Sequence, residues 1–200
     1  VIRFLALLAA LAALPASIAW AASTGAVTVQ IVDERGVPVR DAVVELETSG
    51  WRGGRITFPW RMAMAQRNEQ FVPGTLVIAR GSTVAFPNLD KVRHSVYSFS
   101  KPARFQIDLY GRDQTRSHTF PVSGSVTLGC NIHDDMSGYI RVVDTPFAAK
   151  TDANGYVTLT GVPSGAATLT VSHPRLRAPG GEMSKSISAR GAQKIAVRLR

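Results

Sequence analysis

The sequence predicts an all-β protein of sandwich architecture. Three observations carry that prediction. Apolar residues recur at a period of two along most of the chain, no long segment keeps a helical period, and clusters of Gly, Pro, Asn and Asp punctuate the strands.

In chain order, Val27, Val29 and Ile31 alternate and lead into a turn at Asp33-Glu34-Arg35-Gly36. Val43, Val44 and Leu46 follow, so the pattern predicts a hairpin-like pair of strands. Thr75 to Phe86 gives two apolar clusters broken at Arg80-Gly81, and Ser95 to Phe99 alternates around Val96 and Tyr97. Val122 to Leu128 forms the approach to Cys130, and Tyr139 to Val143 the return strand. Beyond Asp144-Thr145-Pro146, turns at Asp152-Ala153-Asn154-Gly155 and Val162-Pro163-Ser164-Gly165 separate strands at Tyr156 to Leu159, Ala167 to Val171 and Ile195 to Leu199. That last third holds too little apolar material for a core of its own, because small units bury a low fraction of their surface.

The N-terminus has the pattern of a secretory leader. One basic residue, Arg3, precedes the apolar run Phe4 to Leu14, then Pro15 and small residues ending Ala19-Trp20-Ala21-Ala22. The run is too short for a spanning helix, which needs about 20 apolar residues. Cleavage is expected after Ala21 or Ala22, giving a periplasmic protein with no membrane span. The chain carries a net charge of +9, and losing the leader lowers it by one. A basic surface favours acidic partners and speeds encounter. Nucleic acid is excluded as a partner, since the Arg and Lys residues are dispersed and an exported protein rarely meets it.

One cysteine in an exported chain forms no internal disulfide, so its thiol must be buried or ligated to survive oxidation. Cys130 is followed at +3 by His133 and at +6 by Met136, with His94 lying 36 residues upstream. Two imidazoles, a thiolate and a thioether are the donor set of a mononuclear blue-copper site, with the thioether as weak axial ligand. Zinc also suits thiolate and imidazole, but a structural zinc site takes a further Cys or His where this chain offers Met. His118 and His173 lack such a setting and are expected at the surface or in turns. Met62 and Met64 are expected to pack at a strand edge rather than to form a second thioether site.

The spacing Cys130-Asn-Ile-His133-Asp-Asp-Met136 resembles the ligand loop of amicyanin-type cupredoxins. Val84-x-Phe86-x-Asn88 before His94-x-Val96, and Gly124-x-Val126-x-Leu128-x-Cys130, are similar to the same family's strands. The resemblance implies a Greek-key β-sandwich holding one Cu(I)/Cu(II) ion on His94, Cys130, His133 and Met136. It implies that His133 lies near the surface as the electron's exit, with Asn88 and Ser95 supporting the ligands. Ser95 stands where the family often has Asn, so that support is expected to differ. Asp134 and Asp135 would favour Cu(II) if they stay near the metal.

A second resemblance covers the ends of the chain. Val27 to Leu46 looks like the opening of a carboxypeptidase-regulatory-like (transthyretin-like) sandwich, and Thr151 to Gly165 with Leu169 to His173 looks like its second half. Together the resemblances imply a leader at 1–22, one sandwich split between 23–51 and 144–200, and a copper sandwich at 52–143 inserted into it or flanked by it. Proteins of this composite type are called methylamine-utilisation proteins, a name that does not establish methylamine as electron source. The function implied is one-electron transport between redox partners such as a dehydrogenase or cytochrome, without enzymatic turnover. Copper storage or delivery is the alternative.

Overall fold

The computed structural model describes residues 24–199, so the expected leader lies outside the described residues. The chain is all-β, its only helical element among the described residues being a 3-10 turn at Pro179–Gly181. Its strands are β1 (Thr24–Asp33), β2 (Val43–Thr48), β3 (Ala65–Arg67), β4 (Gln70–Val72), β5 (Thr75–Ala79), β6 (Thr83–Pro87), β7 (His94–Ser100) and β8 (Ala103–Tyr110). They continue as β9 (Thr115–Thr119), β10 (Gly124–Cys130), β11 (His133–Val143), β12 (Ala148–Lys150), β13 (Tyr156–Pro163), β14 (Ala166–Ser172), β15 (Glu182–Ser188) and β16 (Gly191–Val197).

The two ends of the chain share one core. A sheet ordered β13-β1-β16 and another ordered β12-β2-β14-β15 enclose Val27, Val29, Ile31, Val44 and Leu46 together with Leu159, Leu169, Val171 and Ile195. The apolar shortage of the C-terminal third is thereby met by the N-terminal strands. The expected hairpin of the first two strands does not form: β1 pairs with β13 and β16, whereas β2 pairs with β12 and β14. Alternation assigns each strand an inward face, and both put that face into the same core. It is silent on which edge pairs with which, and opposite sheets satisfy the pattern as well as adjacent strands do.

The middle of the chain encloses a second core. A five-stranded sheet, β5-β11-β10-β7-β8, and the short pairs β3-β4 and β6-β9 surround Met64, Phe71, Ile78, Phe86, Phe120 and Leu128. β5 is buried at all five positions, without alternation. Its second face is covered too, with Val77 meeting Val43, Val143, Ala148 and the side chains of Phe58 and Trp60. Trp60 fixes that cover by donating from Nε1 to the Val77 carbonyl at 2.8 Å.

A buried polar contact joins the same faces. The Arg141 guanidinium on β11 pairs with Glu45 on β2 and with Glu182, and it donates to Ser125 Oγ at 3.0 Å. Arg141 and Glu45 are both buried, so each charge depends on the other for its solvation. The last six residues of β11 are consequently buried without a break, while its first half opens onto the ligand loop.

Candidate metal centre

Cys130 is the last residue of β10 and His133 the first of β11, with only Asn131 and Ile132 between them. The ladder register shifts after Gly129, so that Cys130 stands opposite His133 instead of continuing the Gly129–Ser137 pairing. A spacing of three therefore produces a direct juxtaposition across a tight turn. On the other side of β10, β7 runs antiparallel with Tyr97 opposite Gly129, which brings the start of β7, and with it His94, to the cysteine. A side chain on Gly129 would strike the Tyr97 ring at 2.5 Å, so glycine is what lets that ring pack there.

The three donors converge. Cys130 Sγ lies 3.7 Å from His94 Nδ1 and 3.8 Å from His133 Nδ1, and all three atoms lie within 4.8 Å of one another. Metal–sulfur and metal–nitrogen bonds of about 2.3 and 2.05 Å, meeting at about 120°, would separate sulfur from nitrogen by about 3.8 Å. Both observed sulfur–nitrogen spacings fit that arrangement. Burial pushes the Cys130 thiol up, but hydrogen bonds from the Ile132 and Ser95 backbone and from the two imidazoles outweigh it and bring it to about 6. The site thus favours thiolate, the form that binds metal.

Both rings turn Nδ1 toward the sulfur, leaving Nε2 outward. His94 is fully buried, and its Nε2 faces Asp90 Oδ2 at 2.8 Å. Asp90 is itself held by the Asn68 and Glu69 backbone N–H groups, at 2.5 and 3.0 Å. Burial raises the Asp90 carboxyl, while the bonds from Glu69, His94 and Asn68 lower it further, for a net shift below the ordinary carboxylate range. A metal-binding imidazole backed by a carboxylate has its orientation fixed and its basicity raised. His133 is partly exposed, and its Nε2 lies 3.9 Å from Glu69 Oε2.

The other residues singled out in the sequence take distinct places. Met136 is buried in the apolar cluster that contains Cys130. Ser95 Oγ accepts from the Asn131 N–H at 2.9 Å and lies 3.8 Å from Cys130 Sγ, so it ties the two ligand segments together. Asn88, fully buried, donates to the carbonyls of Val92 and Tyr110 and accepts from the Asp90 N–H, organising the loop that delivers His94. Asp134 and Asp135 are exposed and stand outside the donor cluster. His118, partly buried, stacks on Phe105 with ring centroids 3.8 Å apart, and His173 is buried at a turn, so neither joins the centre. Met64 is fully buried and Met62 packs against the same core, as the packing role requires.

Sequence reasoning missed Asp90 and Glu69. Asp90 had a signal, being an acidic residue four positions before the upstream histidine. Glu69 had none, since it reaches the site only through a hairpin of two three-residue strands.

No protein-family model and no curated protein matches the chain. Similar solved structures include a reduced amicyanin mutant, with 21% identity over 40% of this chain and 80% of that one and a TM-score of 0.39. A purple cupredoxin from Nitrosopumilus maritimus shows 22% identity over 40% of this chain and 96% of that one, with a TM-score of 0.36. The copper-containing nitrite reductase of Thermus scotoductus shows 27% identity over 46% of this chain and 24% of that one, with a TM-score of 0.41.

Proposed function

We propose that the chain is an exported blue-copper electron carrier, its copper unit at residues 52–143 and a split carboxypeptidase-regulatory-like sandwich at 23–51 and 144–200. The convergence of His94 Nδ1, Cys130 Sγ and His133 Nδ1 carries the proposal. These three would hold one copper ion, with Met136 supplying a weakly bound thioether, and the bound ion would supply a one-electron Cu(II)/Cu(I) couple.

The protein's own residues suit that task. Asp90 locks the buried His94 ring, and Ser95 ties the His94 segment to the cysteine loop, so the donors are held against rearrangement. Burial of Cys130, Met136 and His94 keeps water from the inner side of the site. His133, the partly exposed donor, offers the route by which an electron crosses to a partner. The carboxylates flanking the donors, Asp90 and Glu69, each face an imidazole, an arrangement that supports holding a ligand set rather than turning over a substrate. Partners would be acidic redox proteins such as a dehydrogenase or cytochrome met in the periplasm.

The test is the visible and electron-paramagnetic spectrum of the protein reconstituted with Cu(II). An intense thiolate-to-copper band near about 600 nm with narrow hyperfine splitting supports the carrier, and Cys130→Ser must abolish the band. Persistence of the band in that variant would overturn the ligand assignment. A colourless protein that still takes up Cu(I) would favour storage or delivery.

A further inference from the structure

The β3-β4 hairpin turns through two residues, Asn68 and Glu69, with Arg67 paired to Gln70. Both turn residues are left-handed, at φ +53° and +57°. Two-residue turns of this kind favour Asn-Gly, because the second position accommodates glycine without penalty. Here that position carries a glutamate. The turn is pinned over the metal centre by Asp90, which accepts from both turn N–H groups and from His94. From that fixed backbone the Glu69 side chain, 61% exposed, places Oε2 3.9 Å from His133 Nε2, whose own side chain is 21% exposed. An unfavourable residue, an anchored backbone and a carboxylate set at the outer edge of one imidazole are three separate observations on the same position.

The surroundings give the arrangement a sign. Asp134 and Asp135, both exposed, follow His133 directly, and exposed Ile132 precedes it, on a chain whose overall charge is +9. The partly exposed imidazole is therefore flanked by negative charge on a predominantly basic protein.

We infer that Glu69 is a specificity residue of the His133 exit: its carboxylate, set beside the Nε2 edge, admits partners that bring a lysine- or arginine-bearing patch to it. The inference rests on the reading of this centre as an electron carrier. It narrows the partner to one whose net charge is acidic but whose contact patch is basic. Net charge steers approach over distances up to about the Debye length, and the local carboxylate governs the docked contact.

The experiment measures oxidation of the Cu(I) protein by two small complexes of opposite charge. Tris(phenanthroline)cobalt(III) and hexacyanoferrate(III) each take one electron, leaving Cu(II) with Co(II) or Fe(II). One unit of charge about 8 Å from a trivalent complex, at about 0.1 M salt, changes each rate about threefold in opposite directions. Glu69→Gln should thus lower the cobalt-to-ferricyanide rate ratio about tenfold. Glu47→Gln, which removes an exposed carboxylate from the other sandwich, should leave the ratio within about twofold. Glu69→Gly keeps the turn in its preferred residue, so it folds, and should shift the ratio as Glu69→Gln does. A readout without copper accompanies these: in the copper-free protein, the paramagnetic cation hexaamminechromium(III) should broaden the His133 ring signals about threefold more in the wild type than in Glu69→Gln. Equal ratio changes in the Glu69→Gln and Glu47→Gln proteins, or equal broadening of the His133 ring by the chromium cation in the wild type and Glu69→Gln, overturn the role of Glu69. A wild-type protein that shows no thiolate-to-copper band instead overturns the carrier reading itself, and the role of Glu69 falls with it.

Discussion

Removing the Asp90 carboxylate tests how the metal centre is supported. Its oxygens accept three hydrogen bonds, from His94 Nε2 at 2.8 Å and from the Asn68 and Glu69 N–H groups at 2.5 and 3.0 Å. In Asp90→Ala the fully buried His94 loses its acceptor, a loss of about 1–3 kcal/mol, and the turn loses two charge-assisted bonds that water replaces in part. A total of about 2–4 kcal/mol is expected in denaturant unfolding of the copper-free protein. Asp90→Asn keeps an acceptor for one donor and should lose about 1–2 kcal/mol. Outer carboxylates of this kind contribute about 10–100-fold to metal affinity. If that loss falls on Cu(II), the reduction potential of Asp90→Asn rises by about 60–120 mV, at about 59 mV per tenfold for one electron. Voltammetry of the loaded protein reads it. A shift below about 20 mV in a folded variant would refute the claim that Asp90 tunes His94. Because the Asp90 pKa is depressed in the folded state, its contribution is complete above the unfolded value of about 4. It is lost as pH falls through the lower, folded value, and Asp90→Asn should flatten that acid limb.

Arg141→Met strands the buried Glu45 charge and should destabilise the protein by about 3–5 kcal/mol, whereas Arg141→Met with Glu45→Gln should recover much of it; a single-variant loss under about 1 kcal/mol in urea unfolding would contradict the buried pairing. Gly155→Ala places a Cβ 2.3 Å from the Ile31 carbonyl at φ +74°, where the backbone that must yield also carries the Val39 bond, so about 2–4 kcal/mol should be lost in thermal or urea unfolding. Met136→Leu conserves volume and should change stability by less than about 1.5 kcal/mol. Its loaded form should keep the visible band but show a higher potential, and loss of the band would mean that the thioether is more than a weak axial donor.

The strands with one buried face were legible in the sequence, because alternation in β1 and β10 maps directly onto inward and outward positions. β8 and β9 were not read, since Ala103–Tyr110 buries only its first and last residues and Thr115–Thr119 carries no apolar residue. The pairing of β1 was hidden for another reason. Its partners lie at the far end of the chain, and a hydrophobic period contains no term for partner choice. Of the centre, Cys130 and His133 were readable because three residues of spacing nearly fix their geometry, and His94 because of its local motif. Ser95 stands where the family often has Asn, and its hydroxyl accepts from the Asn131 N–H. The link from Asp90 to the Asn68–Glu69 turn depends on tertiary placement of a hairpin whose short strands give no periodic signal.

The sheet order β13-β1-β16 sets a timetable for folding. Thr28 and Thr158 bond to each other across 130 positions, and Arg198 reaches Glu34 across 164. The first described strand of the chain is the middle strand of its sheet, yet both of its neighbours come from residues 156–197. The segment between them is contiguous and closes its own core around residues 64–142, with far shorter loops. Loop closure is costlier for distant pairs, so this middle segment is able to fold while β1 still lacks both neighbours. Until β13 and β16 arrive, β1 has two open edges, the kind of surface that templates aggregation. Loss of the last strand would therefore be felt first at the other end of the chain.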